Sequence, residues 1–184
     1  MKIINLTENS KLYTSNVFLA LGEWNAVDDV NTLIDVGSDE MIIKKIEGIN
    51  TGLGKRKIDQ VIITHNHSDH SAILPLIKNT FHPKVYAFDA HLKGVDEVLK
   101  DGDKIRIGEK KFEVIHTPIH SSDSVCLFCN ENGMLFVGDT PIPADMNLQY
   151  SINTYPPNFI KNWPFVKTIY YGHGNAKQKA VNTE

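Results

Sequence analysis

The sequence of 184 residues has few cysteines and little excess charge, and these shortages exclude several classes of protein. Two cysteines cannot build the disulfide framework that stabilises many small secreted domains. The net charge is only −3, so the strongly basic face that binds nucleic acid is not expected. No apolar run approaches the roughly 20 residues that span a bilayer. We therefore expect a cytoplasmic protein that binds neither nucleic acid nor membranes.

The sequence also lacks Gly/Ser-rich or Pro-rich linkers, internal repeats and low-complexity segments. Hydrophobic residues make up 41% of the chain, which is enough for a substantial core. The N-terminus turns polar within residues 5–8, before the apolar centre of a signal peptide could form. We expect a single domain over residues 1–184, and a homodimer is compatible with the sequence.

Short apolar segments alternate with helical patterns along the chain. The β-branched run at residues 61–64 is typical of a strand buried on both faces. Helices are predicted at about residues 39–49, with Ser38 as the N-terminal cap, and at about residues 71–79. Because strands return in the second half of the chain, the pattern predicts an α/β sandwich with polar clusters at the strand ends.

The most informative segment follows the predicted strand at 61–64 and contains His65, His67, Asp69 and His70. Three imidazoles and one carboxylate within six positions are improbable in an ordinary solvated turn. In a turn, this spacing lets the side chains separate into two groups instead of all reaching one ion. Imidazole and carboxylate ligands suit zinc, iron or manganese, whereas thiolates would favour zinc more narrowly.

Further candidates lie at the ends of later apolar runs, where α/β sheets assemble their sites: His120, Asp139 and His173. With the first segment they supply five imidazoles and two carboxylates. That inventory matches two metal ions that share one bridging carboxylate. His116 is a weaker rival to His120, because it precedes the Thr-Pro turn.

This ordered set resembles the metallo-β-lactamase superfamily of metal-dependent hydrolases, over about residues 3–174. The resemblance implies a four-layer αβ/βα sandwich, with two mixed sheets flanked by helices. It also implies a first metal on one group of ligands, a second metal on another group and a bridge between them. These are His65, His67 and His120 for the first metal, Asp69, His70 and His173 for the second, and Asp139 for the bridge.

The resemblance extends to Asp35, which corresponds to a carboxylate that orients a ligand imidazole through its free ring N–H. The alternative is an ordinary turn aspartate before Gly37. Asp69 and Asp35 are the candidate catalytic residues. The chain departs from the family at Ile119, where glycine is common, and ends eleven residues after His173. That ending argues against a hydroxyacylglutathione hydrolase, whose extra C-terminal region binds glutathione.

The function implied by the resemblance is binuclear hydrolysis. A metal-bridged hydroxide would attack a small ester, thioester, amide or phosphoester substrate. Two divalent ions are expected, Zn²⁺ first, with iron or manganese as alternatives. Two other functions stay open: an iron-dependent redox enzyme of the sulfur dioxygenase or di-iron oxygen-reducing type, and a non-catalytic binding module stabilised by metal.

The substrate is not readable from the sequence, but two segments are expected to line its site, residues 22–31 and 141–165. They supply aromatic side chains and one candidate anion anchor: Trp24, Tyr150, Tyr155, Phe159 and Trp163, with Lys161. Trp24 either covers the metals as a flap or covers core. Cys126 and Cys129 point to opposite faces of a predicted strand, which indicates core residues instead of a metal or redox site.

Overall fold

The computed structural model describes residues 1–24, 26–142 and 154–179, and within them twelve strands form two six-stranded sheets. The first sheet consists, in spatial order, of β1 (Lys2–Asn5), β2 (Phe18–Leu21), β3 (Thr32–Ile34), β4 (Gln60–Ile63), β5 (Lys84–Ala87) and β6 (Glu97–Val98). Strands β1 to β3 pair antiparallel, whereas β3 to β6 pair parallel. The sheet is therefore mixed, as predicted.

The second sheet follows in the C-terminal half. It consists of β7 (Lys104–Ile107), β8 (Lys110–His116), β9 (Val125–Cys129), β10 (Met134–Gly138), β11 (Thr168–Tyr171) and β12 (Lys177–Gln178). Only the β10–β11 pair is parallel among these described strands, and the others are antiparallel. The turn at residues 130–133 joins β9 to β10 as a hairpin, with Cys129 opposite Met134.

The described helices are α1 (Met41–Gly48), α2 (Ser68–Ser71), α3 (Leu74–Phe81), α4 (Pro157–Asn162) and a 3₁₀ helix at Trp163–Phe165. All of them except the short α2, which lies at the strand ends, pack on the outer faces of the two sheets. Ile42 and Ile77 pack with Val61 in one buried cluster, and Phe159 packs with Phe128 in another. The helices therefore cover each sheet on the side away from its partner.

The third buried cluster lies between the sheets and shows how β4 serves two layers. Val61 belongs to the cluster under α1 and α3, whereas its neighbour Ile62 packs with Phe136 of the second sheet. Successive side chains of a strand point to opposite faces, so a strand apolar at every position can bury both. The four-layer αβ/βα sandwich is thus confirmed.

Two local predictions about the helices are wrong. Ser38 does not cap α1, because its hydroxyl donates to the Tyr13 carbonyl at 2.7 Å, and the Asp39 carboxylate instead accepts the Met41 N–H at 3.0 Å. The helix predicted at 71–79 is divided into α2 and α3. Pro75 lies in the first turn of α3, where its missing N–H costs no hydrogen bond, so it starts a helix and does not kink one.

The topology collects several strand ends at one edge of the sandwich. The carboxyl ends of β3 and β4 lie together because these strands are parallel, and the same holds for β10 and β11. The predicted site residues follow these ends. Within the described residues, no helix combines the length and the apolar character needed to cross a membrane.

Candidate metal centre

The seven predicted ligand side chains come together at this edge of the sandwich. Their donor atoms form three overlapping groups, within each of which the atoms lie no more than 4.8 Å apart. The groups are His65, His67 and His120; His65, His70 and Asp139; and Asp69, His70 and His173. His65 and His70 each belong to two groups, so the three form one continuous cluster.

The first group contains three imidazoles. Nδ1 of His67 lies 3.0 Å from Nε2 of His120. The ring centre of His65 lies 4.5 Å from that of His67 and 4.8 Å from that of His120, in edge-to-face arrangements. One ring nitrogen of each of the three side chains lies within 4.8 Å of the others, close enough for one metal ion to be held by all three.

The second group adds a carboxylate to two imidazoles. Oδ2 of Asp69 lies 3.0 Å from Nε2 of His173 and 3.9 Å from Nε2 of His70. His173 is carried by the loop after β11, and Asp69 and His70 belong to the short helix α2. A parallel strand end and a helix of only one turn thus supply the three side chains of this group.

Asp139, directly after β10, lies between the two groups. Its Oδ1 is 3.3 Å from Nε2 of His70, and its Oδ2 is 3.7 Å from Nε2 of His120 and 3.5 Å from Nε2 of His173. Oδ2 therefore faces one imidazole of the first group and one of the second, while Oδ1 faces His70 of the second group. This is the position from which a carboxylate can bridge two ions.

Two buried ring nitrogens in the cluster have no hydrogen-bond partner among the described residues, Nε2 of His65 and Nε2 of His70. Leaving a buried polar atom unsatisfied costs about 1–3 kcal/mol, so such atoms usually indicate a missing ligand. A metal ion would give both nitrogens a partner once Nε2 of His70 carries no proton. The donor set of imidazoles and carboxylates suits zinc or iron, and the two buried cysteines lie in core clusters, as predicted.

Asp35 supports His70 from behind. Its Oδ2 lies 2.8 Å from Nδ1 of His70 and also accepts the Thr64 hydroxyl at 2.9 Å, while its Oδ1 accepts the Thr64 N–H at 2.8 Å. The backbone of Asp35 has a φ of 57°, a left-handed conformation that aspartate tolerates better than most residues. Sequence reasoning identified Asp35 but missed Thr64, whose position directly before His65 was the available signal.

The charges in the cluster move the pKa values of its members. Burial would lower the pKa of His70, but the carboxylates of Asp35 and Asp139 outweigh it and raise that pKa to about 10. Burial would raise the pKa of Asp139, but His70 and neighbouring imidazoles lower it to about 2. Burial and the charge of His70 together lower the pKa of His65 to about 4. The metal-free cluster thus holds a proton on His70.

At two glycines, the absence of a side chain lets other residues of the site approach the backbone closely. Gly138 has a φ of 52°, and a Cβ there would lie 2.6 Å from Oγ1 of Thr64. A Cβ on Gly172 would lie 2.2 Å from Oδ1 of Asp139. Both contacts are far shorter than any carbon atom tolerates. Sequence reasoning did not single out either glycine, although each directly precedes a predicted ligand.

The residues that border the ligand cluster are not those expected to line the substrate site. A cavity of about 270 Å³ adjoins Asp139 and is bordered by Ile142 and Tyr171. Tyr155, Phe159 and Trp163 do not line it, because they are buried in the core cluster beneath the second sheet. Residues 143–153, which include Tyr150, and Asn25 lie outside the described residues.

The structure also decides between the alternatives left open for Trp24 and for His116. Trp24 is 86% exposed, so the alternative that it covers core is wrong. His116 stacks on Phe88 with ring centres 3.9 Å apart, and its Nε2 lies 2.8 Å from the Ser122 carbonyl. His116 therefore lies outside the three ligand groups, whereas His120 belongs to the first of them.

Comparison with known proteins identifies the class to which this fold and cluster belong. The profile of the Metallo-beta-lactamase superfamily matches residues 14–146, which is most of the chain. The chain therefore belongs to this superfamily, as the sequence resemblance predicted.

Individual relatives are more distant. A probable hydroxyacylglutathione hydrolase of Schizosaccharomyces pombe is 36% identical over 93 residues, which are 48% of this chain and 36% of that protein. The crystal structure of BLEG-1 B3 metallo-beta-lactamase has a TM-score of 0.64 at 22% identity and covers 96% of this chain and 93% of its own. Rubredoxin oxygen:oxidoreductase of Desulfovibrio gigas has a TM-score of 0.63 at 20% identity, covering 90% of this chain and 49% of its own.

These likenesses carry different weights. The two structures are less than 25% identical to this chain and show the fold alone. The chain spans only 35% to 49% of the length of the first curated relatives that it matches.

Proposed function

We propose that this chain is a binuclear metal-dependent hydrolase. The observation that carries the proposal is the position of Asp139, whose two oxygens face His70 on one side and His120 and His173 on the other. A structural metal site needs no carboxylate between two ligand groups. A carboxylate in this position can bridge a pair of ions that act on one substrate.

The proposed ligand assignment follows the three groups of donor atoms. His65, His67 and His120 hold the first ion, Asp69, His70 and His173 hold the second, and Asp139 bridges them. Zinc is the ion we propose, with iron or manganese as the alternatives for the same donors. When bound, two such ions supply a nucleophile at neutral pH and polarise the scissile oxygen.

The protein's own residues prepare this site. Thr64 holds both oxygens of Asp35, and Asp35 in turn holds the ring of His70 through Nδ1. This leaves Nε2 of His70 directed at the cluster, so only one ring nitrogen is free to act as a ligand. Asp35 therefore acts as a positioning residue through His70, while Asp69 lies in the cluster itself.

The bond types proposed for the substrate are ester, thioester, amide and phosphoester bonds in a small molecule. The cavity beside Asp139, with a volume of about 270 Å³, has room for one small group next to the cluster. The relative named hydroxyacylglutathione hydrolase supports hydrolysis as the reaction. Because this chain spans only 36% of that protein, the proposal extends to the bond types and not to that particular substrate.

The experiment is a panel of hydrolase substrates assayed on the protein after chelator treatment and after reloading with zinc, manganese or iron. We expect turnover of at least one of the four bond types, loss with chelator and recovery with metal. Asp139→Ala, prepared in the same way, is the negative control and should show no turnover. Hydrolysis that persists after complete metal removal would contradict the proposal.

The redox alternative has its own outcome in this experiment. Iron in the protein purified without added metal, together with oxygen consumption and no hydrolysis by any metal form, would replace the hydrolase with an iron-dependent redox enzyme. The likeness to an oxygen:oxidoreductase does not favour that outcome, since 20% identity shows the fold alone.

A further inference from the structure

The loop between β1 and β2, residues 6–17, contacts the second ligand group at two places and the turn around His173 at a third. The loop is closed at its base by a hydrogen bond from the Leu6 N–H to the Val17 carbonyl, 2.8 Å long. At its far side the Ser15 N–H donates to the Asp69 carbonyl at 3.0 Å. The exposed ring of Tyr13 stacks on the ring of His173, with centres 5.6 Å apart.

Asn16 makes the third and densest set of contacts. Its backbone N–H donates to the Gly172 carbonyl at 2.6 Å. Its side-chain Nδ2 donates to the Tyr171 carbonyl at 2.9 Å and to the Gly174 carbonyl at 2.6 Å. These carbonyls lie on both sides of His173 in the sequence. One residue therefore holds the whole turn that presents His173.

The orientation of the Asn16 amide is itself determined. Oδ1 of Asn5 accepts the backbone N–H of Thr7 at 3.0 Å, so its Nδ2 points the other way and donates to Oδ1 of Asn16 at 2.9 Å. A backbone N–H can only donate, which excludes a flipped Asn5 amide. With its oxygen engaged in this way, Asn16 must direct Nδ2 at the two carbonyls around His173.

His173 depends on these hydrogen bonds from Asn16 more than His70, the other histidine of its group, would. The ring of His70 is fully buried and is held at Nδ1 by Asp35. The ring of His173 is 36% exposed, and among the described residues no hydrogen bond holds its Nδ1. A ligand imidazole is usually oriented through its second ring nitrogen. Where that support is missing, the ring position depends on the backbone that carries it.

We propose that Asn16 is the positioning residue for the second ligand group, because it fixes the turn that presents His173 to Asp69 and Asp139. This inference rests on the proposed binuclear function. It assigns to the β1–β2 loop a task in holding the second ion, although no side chain of this loop belongs to any of the three ligand groups.

The test compares the stepwise binding of zinc to metal-free wild type, Asn16→Ala and Asn31→Ala. Asn31 is a matched control, because its buried Nδ2 also donates to a backbone carbonyl, that of Arg56 at 2.8 Å, at the opposite end of β3. We expect Asn16→Ala to bind the first ion as wild type does and to bind the second about 10–100-fold more weakly, the usual effect of losing an outer partner. Asn31→Ala should lower the stability and leave both affinities unchanged.

The outcomes separate this inference from the function on which it rests. Wild type that saturates at one ion would overturn the binuclear function and the inference with it. Wild type and Asn16→Ala that both bind two ions with equal affinities would overturn the positioning role alone. An equal loss of affinity for both ions in Asn16→Ala would also overturn the positioning role. If Asn16→Ala does not fold, Asn5→Ala is the second variant: it removes the bond that orients the Asn16 amide, together with the two bonds that Oδ1 of Asn5 accepts from Thr7. It must still weaken the second ion selectively, and a normal second affinity there would overturn the role.

Discussion

Oδ2 of Asp35 lies 2.8 Å from Nδ1 of His70, and neither side chain is accessible to solvent beyond 3%. The pair lies behind the cluster, not in it, because Nδ1 is the ring nitrogen that faces away from Asp139. Asp35 reaches this position through a left-handed backbone conformation, φ 57°, which the Thr64 N–H helps to stabilise by donating to Oδ1. The contact therefore fixes the direction of the His70 ring, with Nδ1 toward Asp35 and Nε2 toward Asp139.

Asp35→Asn should weaken the second ion about 10–100-fold while the first ion stays bound, because a neutral amide orients the His70 ring less strongly than a carboxylate does. Isothermal titration of the metal-free protein with zinc would measure both steps. Asp29→Asn is the matched control, since Asp29 is also a buried carboxylate and accepts the Ala26 N–H at 2.8 Å near the other end of β3. Equal second-ion affinities in the two variants would contradict this role for Asp35.

The sequence indicated which side chains would cluster for a physical reason. Each lies within a few residues of a strand end, and apolar strands such as 61–64 and 134–137 are recognisable from composition alone. Each of these strands has a parallel neighbour in its own sheet, β3 beside β4 and β11 beside β10, so the polar residues that follow the paired carboxyl ends lie together. The four-layer sandwich came from the family resemblance, and the alternation of Val61 and Ile62 between two core clusters confirms it.

The remaining site residues could not be predicted because their roles arise from contacts between distant loops. Asn16 and Tyr171 are 155 positions apart in the sequence, and nothing local to either indicates their hydrogen bond. For Phe159 and Trp163 the sequence did carry a signal, but the prediction that they line the site was wrong. In a proline-rich segment they looked like loop residues at the site, but α4 and the 3₁₀ helix turn their rings into the core.

Asp139→Ala should lose hydrolysis while it keeps the fold. Without this carboxylate two dications would lie close together with little compensation of charge, so we expect one ion per chain where two are proposed for wild type. Metal analysis after gel filtration measures this directly. Asp69→Ala should behave alike, because it also removes a carboxylate from the second ligand group.

Ile62→Val is the control for a purely structural effect. Ile62 is fully buried between the sheets, and the loss of one methylene should cost about 0.5–1.5 kcal/mol of unfolding free energy. Metal content and turnover should remain those of wild type. Wild-type turnover in Asp139→Ala would show that the carboxylate does not bridge.

Gly172→Ala should impair the site although it adds only one methyl group. The new Cβ would lie 2.2 Å from Oδ1 of Asp139 and 2.8 Å from Cε1 of His70, so these side chains must move. A displacement of about 1 Å in a catalytic constellation can cost about 100-fold in rate, and we expect a loss of that size in kcat/KM.

The matched control for this substitution is Gly48→Ala. Gly48 lies in α1, and a Cβ there would meet nothing within 4 Å. This variant should be more stable by up to about 1 kcal/mol, since alanine has the higher helix propensity, and its turnover should be unchanged. Equal activity of the two variants would mean that Asp139 has room to relax without loss of function.

Binding of the second ion should release a proton at neutral pH. In the metal-free protein the carboxylates of Asp35 and Asp139 overcome the effect of burial and hold the pKa of His70 at about 10, so its ring is charged at pH 7. A ligand imidazole must be neutral at the coordinating nitrogen, and the proton must therefore leave. The affinity for the second ion should rise about tenfold per pH unit between pH 6.5 and 8, because each unit lowers the competing proton concentration tenfold.

The same ionisation affects the stability of the metal-free protein. A histidine whose folded pKa is raised from 6.5 stabilises the fold fully below pH 6.5, and this contribution is lost as the pH rises toward 10. The stability contribution of His65 depends on pH in the opposite direction, since burial lowers its pKa to about 4 and the contribution is lost as the pH falls from 6.5 to 4.

Because His65 is already neutral at pH 7, the first ion should displace no proton from it. Calorimetry in buffers of different ionisation enthalpy separates the two steps: about one proton released with the second ion is expected, and a second step whose heat does not depend on the buffer would show that His70 is neutral in the metal-free protein.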